Sequence, residues 1–202
     1  LEVLIRKPRT ADEYVTKIQT ALQSIDRMSD MIDQLLALAR VEIGPATTQE
    51  EVELITFLEE IADRLTEELG RKIEFRTEVS APIFVQVNEK SLMMMIRNLV
   101  ENAVKYSKSG NIVLETGWMP KGAFISVIDQ GIGIDTESIS KIFDPFYRDP
   151  EVINQLIPGT GLGLAIVQKL ASETGIELEV TSQKGKGSTF KLIFVREDLS
   201  KS

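Results

Sequence analysis

Between residues 14 and 41 the apolar positions recur at helical spacing. Val15, Leu22, Ser29 and Leu36 stand seven apart, as do Ile18, Ile25, Ile32 and Ala39. This two-position seam, with Ser29 as its polar lapse, predicts one long helix that stops at Gly44-Pro45. Met28, Met31, Leu35 and Leu38 widen the stripe beyond a two-stranded seam, which favours a helical bundle over a helix packed only on its own domain. The opening LEVLI and the turn-like RKPRTAD predict the end of a preceding helix folding back, with Asp12 as the cap of the long one.

The polar GPATTQE breaks the pattern and predicts a linker over 45–50. After it, apolar positions alternate between the two periods. VELITFLEEIADRLTEEL predicts a helix, KIEFRTEV and IFVQV two strands, and Glu89 to Ser107 a second helix. NIVLETGWM and AFISVID predict strands joined by a Pro-Lys-Gly turn. A third helix is expected from Gly163 to about Thr174, and ELEVTSQKGKGSTFKLIFV closes as a hairpin. This order predicts an α+β two-layer sandwich, one mixed sheet with helices on one face, preceded by a helical hairpin fragment.

Composition narrows the chemistry. The 202 residues carry 31 acidic against 23 basic side chains, a formal charge of −8, which argues against nucleic acid as a partner. The chain has no cysteine, so disulfides and thiolate metal sites are excluded and a cytoplasmic setting fits. No apolar run reaches the length of a membrane span. The chain begins with Leu1, and the expectation is a piece of a longer protein whose membrane-spanning part, if it has one, lies upstream. There is no histidine, so any mechanism needing an imidazole from this chain is excluded.

Four stretches carry candidate chemistry. In NLVENAVKYS, residues 98–107, a helix stacks Asn98, Asn102 and Lys105 on one face while Leu99, Val100, Ala103 and Val104 cover the other. Two amides and an ammonium suit an anion arriving with a hard cation. In DQGIGI, Asp129 ends an apolar strand, and Gly131 and Gly133 turn the backbone and admit a ligand; the charge needs a donor, which a heterocyclic amino group would supply. In isolation a plain strand-to-turn aspartate is the favoured reading, since D-x-G-x-G alone is a weak signal. In GTGLGLAIV, glycines precede a helix whose free N–H groups suit phosphate, although a glycine-rich helix start without a ligand is the alternative. Between the last two, IFDPFYRDPEVINQLIP reads as a mobile flap anchored by Phe143 and Phe146. Its Arg148 is placed either to reach a terminal phosphate or to lie on the surface.

In this order the four elements NLVENAVKYS, DQGIGI, FDPFYR and GTGLGL resemble the N, G1, F and G2 boxes of the ATP-binding domain of sensor histidine kinases, whose wider relatives are gyrase, Hsp90 and MutL. The resemblance covers residues 51–202, including the closing GKGSTFKLIF. IDRMSDMIDQLLALARVE is similar to the second helix of that family's dimerisation and phosphotransfer hairpin. The resemblance implies the Bergerat ATP-binding fold over 51–202, a linker at 45–50, and a partial hairpin over 1–44 whose acceptor histidine lies upstream. It implies ATP and Mg²⁺ as ligands, with Asn102 on the metal, Asn98 supporting it, and Lys105 and Arg148 stabilising transferred phosphate. Tyr106 is expected against the nucleotide and Asp129 on the adenine amino group. Gly131, Gly133 and Ile134 would form that wall, with Ser188 supporting Asp129 through water. Gly159, Thr160, Gly161, Leu162 and Gly163 would wrap the phosphates.

ATP-hydrolysing relatives carry a glutamate at position 98. The amide here cannot act as a base, which favours a histidine acceptor, nucleophilic in its neutral form, over water or serine. The uncharged NQLIP leaves Arg148 alone to supply positive charge from the lid. The resemblance further implies a homodimer through the hairpin, a response-regulator receiver domain as partner, and the cytoplasmic portion of a membrane-anchored sensor. A non-catalytic nucleotide-binding scaffold is the alternative, and an ATPase of the gyrase type a third reading.

Overall fold

The computed structural model describes residues 10, 13–22, 25, 32, 48–154 and 157–195. Seven strands and four helices run from residue 50 onward: β1 Glu50–Glu53, α1 Leu54–Leu69, β2 Ile73–Thr77, β3 Phe84–Val87, α2 Glu89–Tyr106, β4 Ile112–Met119, β5 Gly122–Ile128, α3 Pro150–Asn154, α4 Gly163–Thr174, β6 Ile176–Gln183 and β7 Gly187–Val195. The main sheet has the order β2-β4-β5-β7-β6. β2 and β4 are parallel, and every other neighbouring pair is antiparallel.

Helices lie on one face of this sheet, as expected for an α+β sandwich. α1 buries Leu54, Leu58, Ile61, Ala62 and Leu65, and α2 buries Leu92, Met95, Ile96, Leu99, Val100 and Ala103, each set at the spacing of one helical face. They meet alternate residues of the sheet: Ile112 and Leu114 of β4, Ile125 and Val127 of β5, and Leu192 of β7. The other sheet face sets opposite charges across strands, Arg76 beside Glu115 and Lys191 beside Glu179. Leu92 is fully buried. Leu92→Ala is expected to cost about 2–5 kcal/mol, read as a lower urea midpoint with unchanged slope.

Three sequence expectations are corrected here. IFVQV does not join the main sheet: β3 pairs antiparallel with β1 in a separate two-stranded ribbon, from Glu50 opposite Val87 to Glu53 opposite Phe84. Val52 and Glu53, expected in the first helix, belong to that ribbon. The reason is Glu53, whose carboxylate accepts from Ile55 N and Thr56 N to cap α1, and from Ile83 N to tie the ribbon to it. Glu50, placed in the linker from sequence, is the first ribbon residue.

Residues 13–22, 25 and 32 are helical. The expected cap at Asp12 lies outside the described residues; among those described, Thr10 and Glu13 form a reciprocal capping box, Thr10 N donating to Glu13 Oε2 at 3.1 Å and Glu13 N to Thr10 Oγ1 at 3.3 Å. Of the heptad seam, Val15, Ile18, Leu22, Ile25 and Ile32 are 49–60% exposed. Ser29, Leu36 and Ala39, and most of the predicted hairpin, lie outside the described residues.

Candidate functional site

Helix α2 begins at Asn88, whose side chain accepts from Ser91 N at 3.0 Å. Its buried stripe faces the sheet, which turns Asn98, Asn102 and Lys105 toward α4. Asn98 Nδ2 donates to Met94 O one turn back at 2.8 Å, which leaves its oxygen facing the start of α4. A Cβ on Gly163 would stand 2.8 Å from that oxygen and 3.8 Å from Asn102 Nδ2, so a larger residue at the start of α4 would displace the Asn98 side chain. Lys105 Nζ lies 4.9 Å from the Tyr106 ring centroid. It also fills the place a Cβ of Gly159 would need. Burial, and secondly the Arg148 guanidinium, lower the Lys105 ammonium to a pKa of about 8, against an opposing pull from Glu101. Burial raises the Tyr106 phenol, which Arg148 partly offsets.

Asp129 follows β5 and is buried. Its Oδ1 accepts from Gly131 N at 2.7 Å and from Ser107 Oγ at 3.4 Å. Its backbone pairs directly with the second residue of β7, Asp129 N donating to Ser188 O at 2.9 Å and Ser188 N to Asp129 O at 3.3 Å. Burial raises its pKa, and the Gly131 amide is the largest of the hydrogen bonds that oppose the rise.

The segment from 135 to 161 is stitched by its own bonds. Ser138 Oγ donates to Asp149 Oδ2 at 2.8 Å and accepts from Tyr147 Oη at 3.2 Å. Phe143 packs against the core. The expectation that Phe146 is a second anchor is corrected: the residue is 60% exposed. Its backbone does the holding instead, at φ 65° with its N–H on Gly161 O at 3.0 Å. Arg148 Nη2 donates to the Ile157 carbonyl, while its Nε is buried without a hydrogen-bond partner.

These elements enclose one cavity of about 600 Å³. It is lined by Asn98, Asn102, Lys105 and Tyr106 from α2, by Asp129, Gly133 and Ile134 after β5, by Arg148, Gly159, Thr160, Gly161 and Gly163 from the following segment, and by Ser188 of β7. Two predicted residues do not line it. Gly131 works through its amide on Asp129, and the Leu162 side chain is fully buried in the core. Sequence reasoning missed Lys184 and Val152 in the lining, and Ser107 and Ser182 behind it. Lys184 is a third cation in the lining after Lys105 and Arg148, and it comes from the β6–β7 turn, outside the lid in which the sequence left Arg148 as the one expected charge. Among the described residues no three His, Cys, Asp or Glu side chains come together as a metal cluster, and no helix is long and apolar enough to cross a membrane.

Fold and cavity define a two-layer α+β domain whose cavity lies between a polar helix face and a glycine-rich helix start. The family model for the histidine kinase-, DNA gyrase B-, and HSP90-like ATPases matches residues 87–198, and the chain belongs to that family. Among curated proteins it is similar to the sensor histidine kinase YkoH of Bacillus subtilis (strain 168), 32% identical over 193 residues, covering 96% of this chain and 41% of the relative. The sensor histidine kinase WalK of the same strain is 30% identical over 169 residues, with 81% and 28% covered. The chain thus spans less than half of these relatives. Among solved structures, full-length ShkA in complex with AMPPNP superposes with a TM-score of 0.75 at 24% identity, covering 94% of this chain and 41% of that one. The mycobacterial sensor histidine kinase MprB gives 0.61 at 25%, covering 73% and 97%.

Proposed function

We propose that this chain binds Mg·ATP in the cavity and supplies the catalytic part of a sensor histidine kinase, passing the γ-phosphoryl group to a histidine and thence to a response-regulator aspartate. The observation that carries it is the single cavity joining a buried carboxylate, Asp129, to the amides and cations Asn102, Lys105 and Arg148. The acceptor imidazole comes from outside these 202 residues, which contain none. The matching curated relatives, named sensor histidine kinases, support the reading, as does the amide at Asn98, which offers no base for water. Dimerisation through the exposed heptad face and a cytoplasmic position in a membrane-anchored sensor belong to the same proposal.

The residues present fit nucleotide and metal. Asp129 accepts from the base amino group, and the Gly131 amide favours its ionised form against the upward push of burial. The unpartnered Arg148 Nε is a donor in want of an anion, and the Lys105 side chain lines the same cavity. Asn102 would offer its amide oxygen to Mg²⁺, a cation held in such sites by few protein ligands with phosphates and water completing its shell. When bound, Mg²⁺ supplies neutralisation of the charge that builds on the phosphates. The chain's own work is then positioning: α2 and the start of α4 hold the phosphates, and Lys105 and Arg148 fix the terminal group for in-line attack.

Calorimetric titration of the chain with Mg·ATP tests the binding half. Asp129→Asn exchanges a charge-assisted bond of about 1.5–3 kcal/mol for a mismatched amide, so the affinity is expected to fall roughly 10- to 100-fold. Equal affinity in the variant would remove Asp129 from the site.

A further inference from the structure

One carboxylate in the cavity wall is held from outside it. Glu101 of α2 lines the cavity one residue before Asn102, and among the described residues its ion pair is with Arg97, one turn earlier. Arg97 Nε meets Glu101 Oε1 at 2.8 Å, while its Nη1 meets Glu68 Oε2 of α1 at 2.9 Å. The guanidinium thus spans a carboxylate on each helix, a task its planar fork suits. Lys105 stands one turn after Glu101, so the carboxylate has a cation on either side along the same helix face. A glutamate N-terminal to a lysine is the favoured order at this spacing, and the charge of Glu101 already reaches Lys105, whose pKa it pulls upward. Glu68 fixes Arg97 in the place where it receives Glu101 instead.

Building on the nucleotide reading above, we propose that Arg97 is a positioning residue for phosphate binding: it draws Glu101 away from Lys105 and so leaves the ammonium to the phosphates of the ligand. Without Arg97 the Glu101 carboxylate turns the other way along the helix, onto Lys105. There it opposes an anion twice over. It occupies the donors of the ammonium, and it sets a negative charge where the phosphates must lie. Arg97 itself does not line the cavity and acts through Glu101. Its side chain is half-exposed, and such solvent-screened pairs are weak, so the consequence is a severalfold change in affinity and not a loss of binding.

The test is a double-mutant cycle on ATP affinity, measured by calorimetry with Mg²⁺ on the full chain. Arg97→Met keeps the stem and removes the charge, and is expected to weaken ATP binding about fivefold, the equivalent of roughly 1 kcal/mol. Glu101→Gln, close to isosteric, should bind ATP at least as tightly as the unsubstituted chain. The double variant should match Glu101→Gln, because the amide has no charge to set against phosphate. A brace that only joins α1 to α2 predicts otherwise: Arg97→Met would then cost the same affinity with or without Glu101→Gln. An Arg97 that attracts phosphate by its own charge predicts the same additivity. Either additive result, or unchanged or tighter binding in Arg97→Met, would overturn the proposal. If the unsubstituted chain does not bind ATP, or binds it equally with Asp129→Asn, the nucleotide reading itself fails, a result separate from a failed rescue.

Discussion

Asn102→Ala is expected to lower phosphoryl transfer by two to three orders of magnitude while leaving the fold intact. The two halves of that expectation come from different physics. Asn102 lies on the polar face of α2, next to Gly163 at the start of α4 and in the cavity lining. Among the described residues no carboxylate cluster could take its place on a cation. One preorganised electrostatic contact to a reacting group is worth about 2.7–4 kcal/mol, hence the size of the loss. Alanine is meanwhile the better helix former by a few tenths of a kcal/mol, so α2 does not suffer. The measurement uses γ-labelled ATP and the protein extended to include its acceptor histidine, with acid-labile, alkali-stable label as the readout. Thermal melts of both forms should agree within about a degree or favour the variant. Label retained near the unsubstituted level would remove Asn102 from the metal and with it the mechanism.

What made this helix readable from sequence is that its two faces obey one period. Leu92, Met95, Ile96, Leu99, Val100 and Ala103 are buried, and the amides on the opposite face sit where no packing demand explains them. The hairpins were readable because short apolar-rich runs are set off by turn residues, Pro-Lys-Gly between β4 and β5 and Lys-Gly-Lys between β6 and β7. The β1–β3 ribbon was not. Four residues, EEVE, are too short to show alternation, and their last member doubles as the helix cap through its side chain. Nothing local distinguishes Glu53 as a cap from Glu53 as a first-turn acid; the bond to Ile83 N, thirty residues away, decides it.

The site divides along the same line. Groups that contact the cavity through a stretch with its own pattern, the asparagine row and the glycine runs, were visible in the sequence. Those that act across the chain were hidden. Ser182 sits on β6 as an unremarkable strand serine, and only the register placing it opposite Ser188 reveals its bonds. Lys184 lies in the β6–β7 turn, where a lysine reads as a solvated turn residue. Phe146 failed in the opposite direction: an aromatic beside Asp-Pro suggests an anchor, but a backbone at φ 65° turns its ring outward. Ser107 had one clue, a hydroxyl directly after the helix, but its link to Asp129 spans 22 residues.

Lys105→Met should move stability and turnover in opposite directions. The ammonium is held at a pKa of about 8, first by burial and secondly by Arg148, with Glu101 opposing; in the unfolded chain it returns to roughly 10.4. Between those values the unfolded chain binds more protons than the folded one, so the lysine's contribution to stability improves as pH rises through the window. Below pH 8 the folded protein bears the whole cost of a charged, half-buried ammonium. After discounting for its solvent exposure that cost is about 1–2 kcal/mol. Methionine keeps the stem and removes the charge, so at pH 7 the nucleotide-free variant should melt higher than the unsubstituted chain by that amount. The gap should close as pH approaches 10. Transfer should nevertheless fall about a hundredfold, because the cation that destabilises the empty site is the one that meets phosphate. The same charge predicts proton uptake when ATP binds near pH 8, since an anion beside Lys105 raises its pKa; calorimetry in buffers of different ionisation enthalpy reads this directly, and Lys105→Met should abolish it. A variant that melts lower at pH 7, or proton uptake that survives the substitution, would mean that Lys105 is not the strained group in this cavity.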